Sequence, residues 1–144
     1  MAISHAAENG NFAGMVDIGG NRKMYLKCSG SGSPTVVLVG GLRACADDWN
    51  ISDKSKPTVF AEVAKFTRVC SYDRPGTPVG DKPSRSEPVH QPTTAKNAVD
   101  DLHALLTGAD EPRPYVLVGH SYGGLVVRLY ASTYPDDGIR ARAR

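Results

Sequence analysis

The chain has 144 residues, 40% of them hydrophobic and 22% charged, which suits one domain with its own core and not two. A net charge of +2 is too small to imply nucleic acid or an acidic membrane surface as partner. No apolar run approaches the roughly 20 residues of a membrane span, and the opening "MAISHAAENGNFAG" lacks the basic head and apolar stretch of a signal peptide. The expected protein is soluble, cytoplasmic by default, or exported if a leader was removed before this numbering began.

Residues 1–13 read as a disordered tip to a single domain spanning 1–144. Met15 to Ile18 and Met24 to Cys28 read as strands of a β-hairpin, with Gly19-Gly20-Asn21 as the turn. "SGSGSP" (29–34) is a loop, and "TVVLV" (35–39) has the continuous apolar character of a strand buried on both faces. A loop runs from Gly40 to about Lys56. Pro57 then suits a first helical turn, followed by Val59, Phe60, Val63 and Phe66 at helical spacing. Arg68 to Asp73 is another strand. Residues 75–92 hold five prolines and must form an irregular excursion.

Thr93 or Thr94 can cap the next helix, which turns Ala95, Val99, Leu102 and Leu106 to one face. "YVLVG" (115–119) is a third buried strand, followed by a helix that Pro135 ends. The last residues, 138–144, lack a strand-like apolar face and read as a frayed tail. A hairpin followed by alternating strands and helices predicts an α/β fold. Its sheet is predominantly parallel, with helices on both faces. In such sheets, sites form beyond the carboxyl ends of the strands. The loops after Val39 and Asp73 and the turn at Ser121 should therefore converge.

Cys28, Cys45 and Cys70 form no disulfide framework and no zinc pattern. They read as small buried hydrophobes. A Cys28–Cys70 bridge becomes possible if their strands are neighbours, and it would point to an exported protein. The sequence also lacks a P-loop and a complete dinucleotide fingerprint, so no cofactor and no metal are expected.

The chemistry concentrates in "VGHSYGG". A strand, then Gly119-x-Ser121-x-Gly123, then a helix is the pattern of a nucleophile elbow. A serine on so sharp a turn crowds the positions two residues to either side, which is why Gly119 and Gly123 stand there. The turn lifts the Ser121 hydroxyl above the sheet and leaves the Tyr122 N–H at a helix start, aimed where an oxyanion would form. A second donor must come from another loop, and the Leu42 N–H in "GGLRACADDW" is the best placed.

Four segments together resemble the amino-terminal half of an α/β-hydrolase of the esterase and lipase-like kind: "PTVVLVGGLRACADDW", "VCSYDRPGTPVGD", "AVDDLHALL" and "PYVLVGHSYGGLVVRLYASTYPD". Gly40 stands where that family commonly has a histidine. Asp73, Arg74 and Gly76 match its Asp-Arg-x-Gly turn, with Thr77-Pro78 in place of the usual aromatic residue. The resemblance implies a truncated α/β-hydrolase fold lacking the last strands. It also implies a serine hydrolase of small-molecule carboxylic esters, with Ser121 as nucleophile and Leu42 and Tyr122 as oxyanion donors.

The family's acid and histidine follow the serine on later strands, and neither is evident here. His5 lies in the tip. His120 precedes the nucleophile and should point away from its hydroxyl. His103 lies far along its helix, towards the wrong face. His90, in the Pro-rich excursion, is the one candidate substitute base. Asp47, Asp48 and Asp73 are near the right face but cannot do the work of an imidazole. The rival expectation is a catalytically silent fragment. In it, strand 115–119 forms an exposed edge that pairs with another chain, as in a homodimer.

Overall fold

A computed structural model of the chain describes residues 10–52 and 55–143. The hairpin is longer than its apolar pattern suggests, with β1 at Phe12–Gly19 and β2 at Arg22–Ser29. Phe12 and Ala13 are therefore strand and not tip, while residues 1–9 lie outside the described residues. The turn residues Gly20 and Asn21 both have left-handed φ, 61° and 58°, as a tight hairpin requires. β3 (Thr35–Val39) and β5 (Tyr115–Gly119) occupy the residues expected, and β4 is the shorter Val69–Tyr72. The helices are α1 (Val59–Ala64), α2 (Ala95–Gly108) and α3 (Tyr122–Thr133). Thr94, not Thr93, caps α2: its hydroxyl accepts from the Asn97 N–H while the Asn97 side chain returns to the Thr94 N–H.

The sixth strand, β6, is Gly138–Ala143, and the six lie in the order β1-β2-β4-β3-β5-β6. The hairpin and the β2–β4 pair are antiparallel, whereas β3, β4, β5 and β6 run parallel to one another. Alternation along β3 sends Val37 and Val39 into one core and Leu38 into the other. α2 and α3 cover the first face through Val99, Leu102, Leu106, Val126 and Tyr130. α1 covers the second through Phe60, packed on Leu38 and Val69. The helical face predicted for α2 is shifted: Ala98 and Leu105 are buried and Ala95 only partly so.

Two expectations are corrected at the end of the chain. In place of a frayed tail at 138–144, Gly138–Ala143 pairs with β5 in parallel, with Val116 opposite Arg140 and Gly119 opposite Ala143. Backbone pairing alone can recruit a segment with no apolar face, and here Asp137 delivers it. Its carbonyl accepts the Tyr115 N–H at 2.9 Å, which sets the chain alongside β5. Strand 115–119 is consequently not an exposed edge. Its backbone pairs with β3 on one side and β6 on the other, so it offers no open ladder to a partner.

Cys28 and Cys70 stand directly opposite each other in the β2–β4 pair and are joined by a disulfide, and Cys45 is free and buried. Beside the bridge lies a buried ion pair that no local sequence pattern announces. The Arg68 Nε donates to Glu111 at 2.7 Å, and a second Arg68 nitrogen reaches the other carboxylate oxygen at 3.2 Å. Burial raises the Glu111 carboxyl above its ordinary value against the pull of Arg68. No helix among the described residues is long and apolar enough to cross a membrane.

Candidate functional site

Because β3, β4 and β5 are parallel, their outgoing segments leave from one edge of the sheet. Ser121 sits between β5 and α3 with φ 56° and ψ −120°, a conformation that side chains rarely adopt. The turn is held by three backbone bonds: His120 N–H to Val39 O, Gly123 N–H to His120 O, and Gly124 N–H to Ser121 O. The two glycines are sterically obligatory. A Cβ on Gly119 would lie 2.4 Å from Gly123 O, and one on Gly123 would lie 2.1 Å from Val39 O. Ser121 is exposed, and among the described residues its hydroxyl has no hydrogen-bond partner.

Tyr122 opens α3, so its N–H has no acceptor in a preceding helical turn. The β3 loop approaches from the side. A Cβ on Gly41 would stand 3.2 Å from the Ser121 Cβ and 3.1 Å from the His120 Nδ1. Leu42 follows and is 74% exposed, and Arg43 is held at a left-handed φ of 68°. Leu42 and Tyr122 both line a cavity of about 350 Å³. Its other walls are Arg43, the Arg74–Thr77 turn, the end of the Pro-rich excursion (Val89, Gln91, Pro92, Thr93) and the first turns of α2 (Asn97, Ala98, Asp101). Ser121 is not in those walls and stands beside the cavity.

The structure thus brings Ser121, Leu42, Tyr122, Gly119 and Gly123 together. His90 is exposed, between two residues that line the cavity, and no hydrogen bond joins it to Ser121 among the described residues. His103 belongs to the opposite end of the sheet. It stacks on Tyr134 with ring centroids 3.8 Å apart, and its Nδ1 lies 3.0 Å from Asp137. His5 lies outside the described residues. The acids near the serine are engaged structurally. Buried Asp73 accepts the Ala46 N–H at 2.8 Å and the Arg85 guanidinium at 2.7 and 2.8 Å. Asp47 also pairs with Arg85, at 3.2 Å, and Asp48 accepts the Cys45 N–H at 2.8 Å.

Two arginines shape the site: Arg74, in the Asp-Arg-x-Gly turn that the resemblance sets beside it, and Arg85, which the sequence reading did not single out. Arg85 pins the Pro-rich excursion to Asp73 while its guanidinium covers the Tyr25 ring at 3.7 Å, and the Asp73 hydrogen bonds raise its pKa further. Nothing in its sequence neighbourhood marks that role. Arg74 donates to Gly40 O at 2.8 Å and Gly41 O at 2.5 Å, with its guanidinium 5.3 Å from the centre of the Tyr122 ring. Its place in the Asp-Arg-x-Gly turn is the signal that marks it.

A family model described as "Alpha/beta hydrolase family" matches residues 36–143. Among curated proteins, the chain is 30% identical over 121 residues to "Probable transporter efuK" of Hormonema carpetanum, covering 81% of this chain and 16% of that one. It is also 30% identical over 118 residues to cis-3-alkyl-4-alkyloxetan-2-one decarboxylase of Shewanella oneidensis, covering 81% of this chain and 33% of that one. Among solved structures, 2-hydroxy-6-oxo-6-phenylhexa-2,4-dienoate hydrolase from Rhodococcus sp. strain RHA1 shares the fold with a TM-score of 0.72 at 19% identity, over 92% of this chain and 45% of that one. The chain spans between 16% and 38% of the length of the curated relatives it matches.

Proposed function

Given that the chain belongs to the alpha/beta hydrolase family, we propose that it is a serine hydrolase of small carboxylic esters, with Ser121 as nucleophile and the Leu42 and Tyr122 N–H groups as oxyanion donors. The observation that carries this reading is the backbone of Ser121. A φ of 56° on a serine between β5 and α3 is costly, and it presents the hydroxyl at the start of a helix.

In the proposed step the Ser121 Oγ adds to the ester carbonyl carbon. The π electrons move to the carbonyl oxygen, and the two N–H groups hold the oxyanion. Collapse expels the alkoxide and leaves an acyl-serine, which water then hydrolyses. The proton from Ser121 passes to water, because among the described residues no imidazole is bonded to the hydroxyl. Binding and an oxyanion hole alone sustain about 10³–10⁴-fold acceleration over water. Activated esters with good leaving groups are therefore the substrates within reach. The unpartnered Ser121 hydroxyl also supports the second reading, a catalytically silent chain.

The test is labelling with a fluorophosphonate probe together with turnover of a short p-nitrophenyl ester. The hydrolase reading expects both, and expects Ser121→Ala to abolish both. Labelling and turnover that survive Ser121→Ala would sink it. Labelling at Ser121 with no turnover selects the silent chain.

A further inference from the structure

We infer that Arg74 is the positioning residue of the oxyanion hole, setting the direction of the Leu42 N–H and bracing Tyr122. The inference rests on the proposed role of Ser121 and extends it to a residue that never touches substrate. The carbonyl of Gly41 and the N–H of Leu42 belong to one planar trans peptide and point to opposite sides of the chain. Whatever fixes the Gly41 oxygen therefore fixes the Leu42 hydrogen.

Two donors fix that oxygen: the Ala44 N–H, at 3.1 Å across the Gly41–Ala44 turn, and Arg74, which alone ties it to the preceding peptide. One terminal nitrogen of Arg74 donates to Gly40 O at 2.8 Å and the other to Gly41 O at 2.5 Å, so a single rigid fork holds two consecutive peptide planes. Arg74 is 9% exposed, and no ion pair joins it to a carboxylate among the described residues. Its charge is thus directed at the loop. The segment it holds needs holding: Gly40-Gly41 has no side chain to resist a peptide flip. Gly41 also lies beside the serine, since a Cβ added to it would stand 3.2 Å from the Ser121 Cβ. The same guanidinium lies 5.3 Å from the centre of the Tyr122 ring. One side chain therefore touches the peptide of one donor and the side chain of the other.

The experiment is saturation kinetics of Ser121 labelling by a fluorophosphonate in the unaltered chain, Arg74→Lys, Arg74→Met and Arg74→Ala, with rates normalised to folded protein. The expected result is a 10- to 100-fold lower maximal labelling rate in Arg74→Met at an unchanged half-saturating probe concentration. Arg74→Lys, which can hold one carbonyl but not both, falls between. Added guanidinium ion partly restores Arg74→Ala. Equal maximal rates, or losses that track only unfolding without guanidinium rescue, overturn the inference. No labelling of the unaltered chain overturns the Ser121 reading instead. In that case the Leu42 amide resonance decides the role of Arg74: the inference expects it to shift and broaden in Arg74→Met, and an unchanged resonance refutes it.

Discussion

Gly123 is seated on Val39 so closely that a Cβ added to it would lie 2.1 Å from the Val39 carbonyl oxygen. The first turn of α3 rests directly on the end of β3, and this contact joins the serine turn to the loop that carries Leu42. No flexible side chain can move aside, because the obstructing atoms are backbone. Gly123→Ala should therefore cost about 3 kcal/mol or more, the upper range for overpacking, and should abolish labelling of Ser121. Urea unfolding measures the first effect and the fluorophosphonate probe the second. A variant with an unchanged urea midpoint would show that the seat is loose.

At position 121 the residue that relieves the backbone should be more stable than the usual inactivating substitution. The φ of 56° and ψ of −120° lie in the mirror image of the β region, which glycine enters freely and alanine does not. Comparing Ser121→Gly with Ser121→Ala removes the hydroxyl from both sides. Local strain of this kind costs of order 1–3 kcal/mol, and glycine loses roughly 0.5–1 kcal/mol in backbone entropy. Ser121→Gly should then be about 1 kcal/mol more stable than Ser121→Ala by thermal or urea unfolding. Neither should label. Equal stabilities would mean that the turn is relaxed in solution.

The Cys28–Cys70 bridge closes a segment with a sequence separation of 42 and ties the hairpin to β4, next to the buried Arg68–Glu111 pair. In the chain-entropy view a loop of that size is stabilised by about 2–4 kcal/mol when crosslinked. Cys28→Ala combined with Cys70→Ala should lower stability by that amount, and reductant should act on the parent but not on the double variant. Cys45 is a free thiol that can exchange with the bridge once the chain unfolds, so parent and double variant should both be compared in a Cys45→Ala background. Identical unfolding curves with and without reductant would contradict a formed bridge.

The legible parts of the sequence are those where one local signal has no competitor. "TVVLV" and "YVLVG" are apolar on both faces and form the central parallel strands β3 and β5. The glycines at 119 and 123 read directly as steric requirements, and their close backbone approaches account for them. What escapes is set by partners distant in sequence. Gly138–Ala143 carries no strand signal of its own and is recruited by the open edge of β5 and the anchoring of Asp137. The bridge depends on Cys28 and Cys70 falling opposite one another, a matter of register that periodicity does not specify. Arg85 acts on a buried aspartate more than ten residues away in sequence, so composition and spacing are silent about it, whereas the Asp-Arg-x-Gly turn marks Arg74 without revealing the Gly40 and Gly41 carbonyls it holds.

Asp137 supplies the pH dependence. Burial pushes its carboxyl up, but hydrogen bonds from Tyr130 at 2.8 Å, Arg113 at 2.9 Å and His103 at 3.0 Å outweigh that and hold it below the ordinary carboxylate value. A carboxyl held low in the folded state contributes stability that is fully present above its unfolded value of about 3.9. That contribution is lost as the pH falls through the lower folded value. Asp137→Asn should therefore be less stable than the parent at pH 6, by about 2 kcal/mol for charge-assisted bonds of this kind. The gap should narrow steadily between about pH 5 and pH 2. Because Asp137 also leads into β6, the variant should lose hydrogen-exchange protection first along Gly138–Ala143. A stability gap that does not change with pH would show that the carboxylate contributes only shape, and β6 would then owe its position to backbone pairing alone.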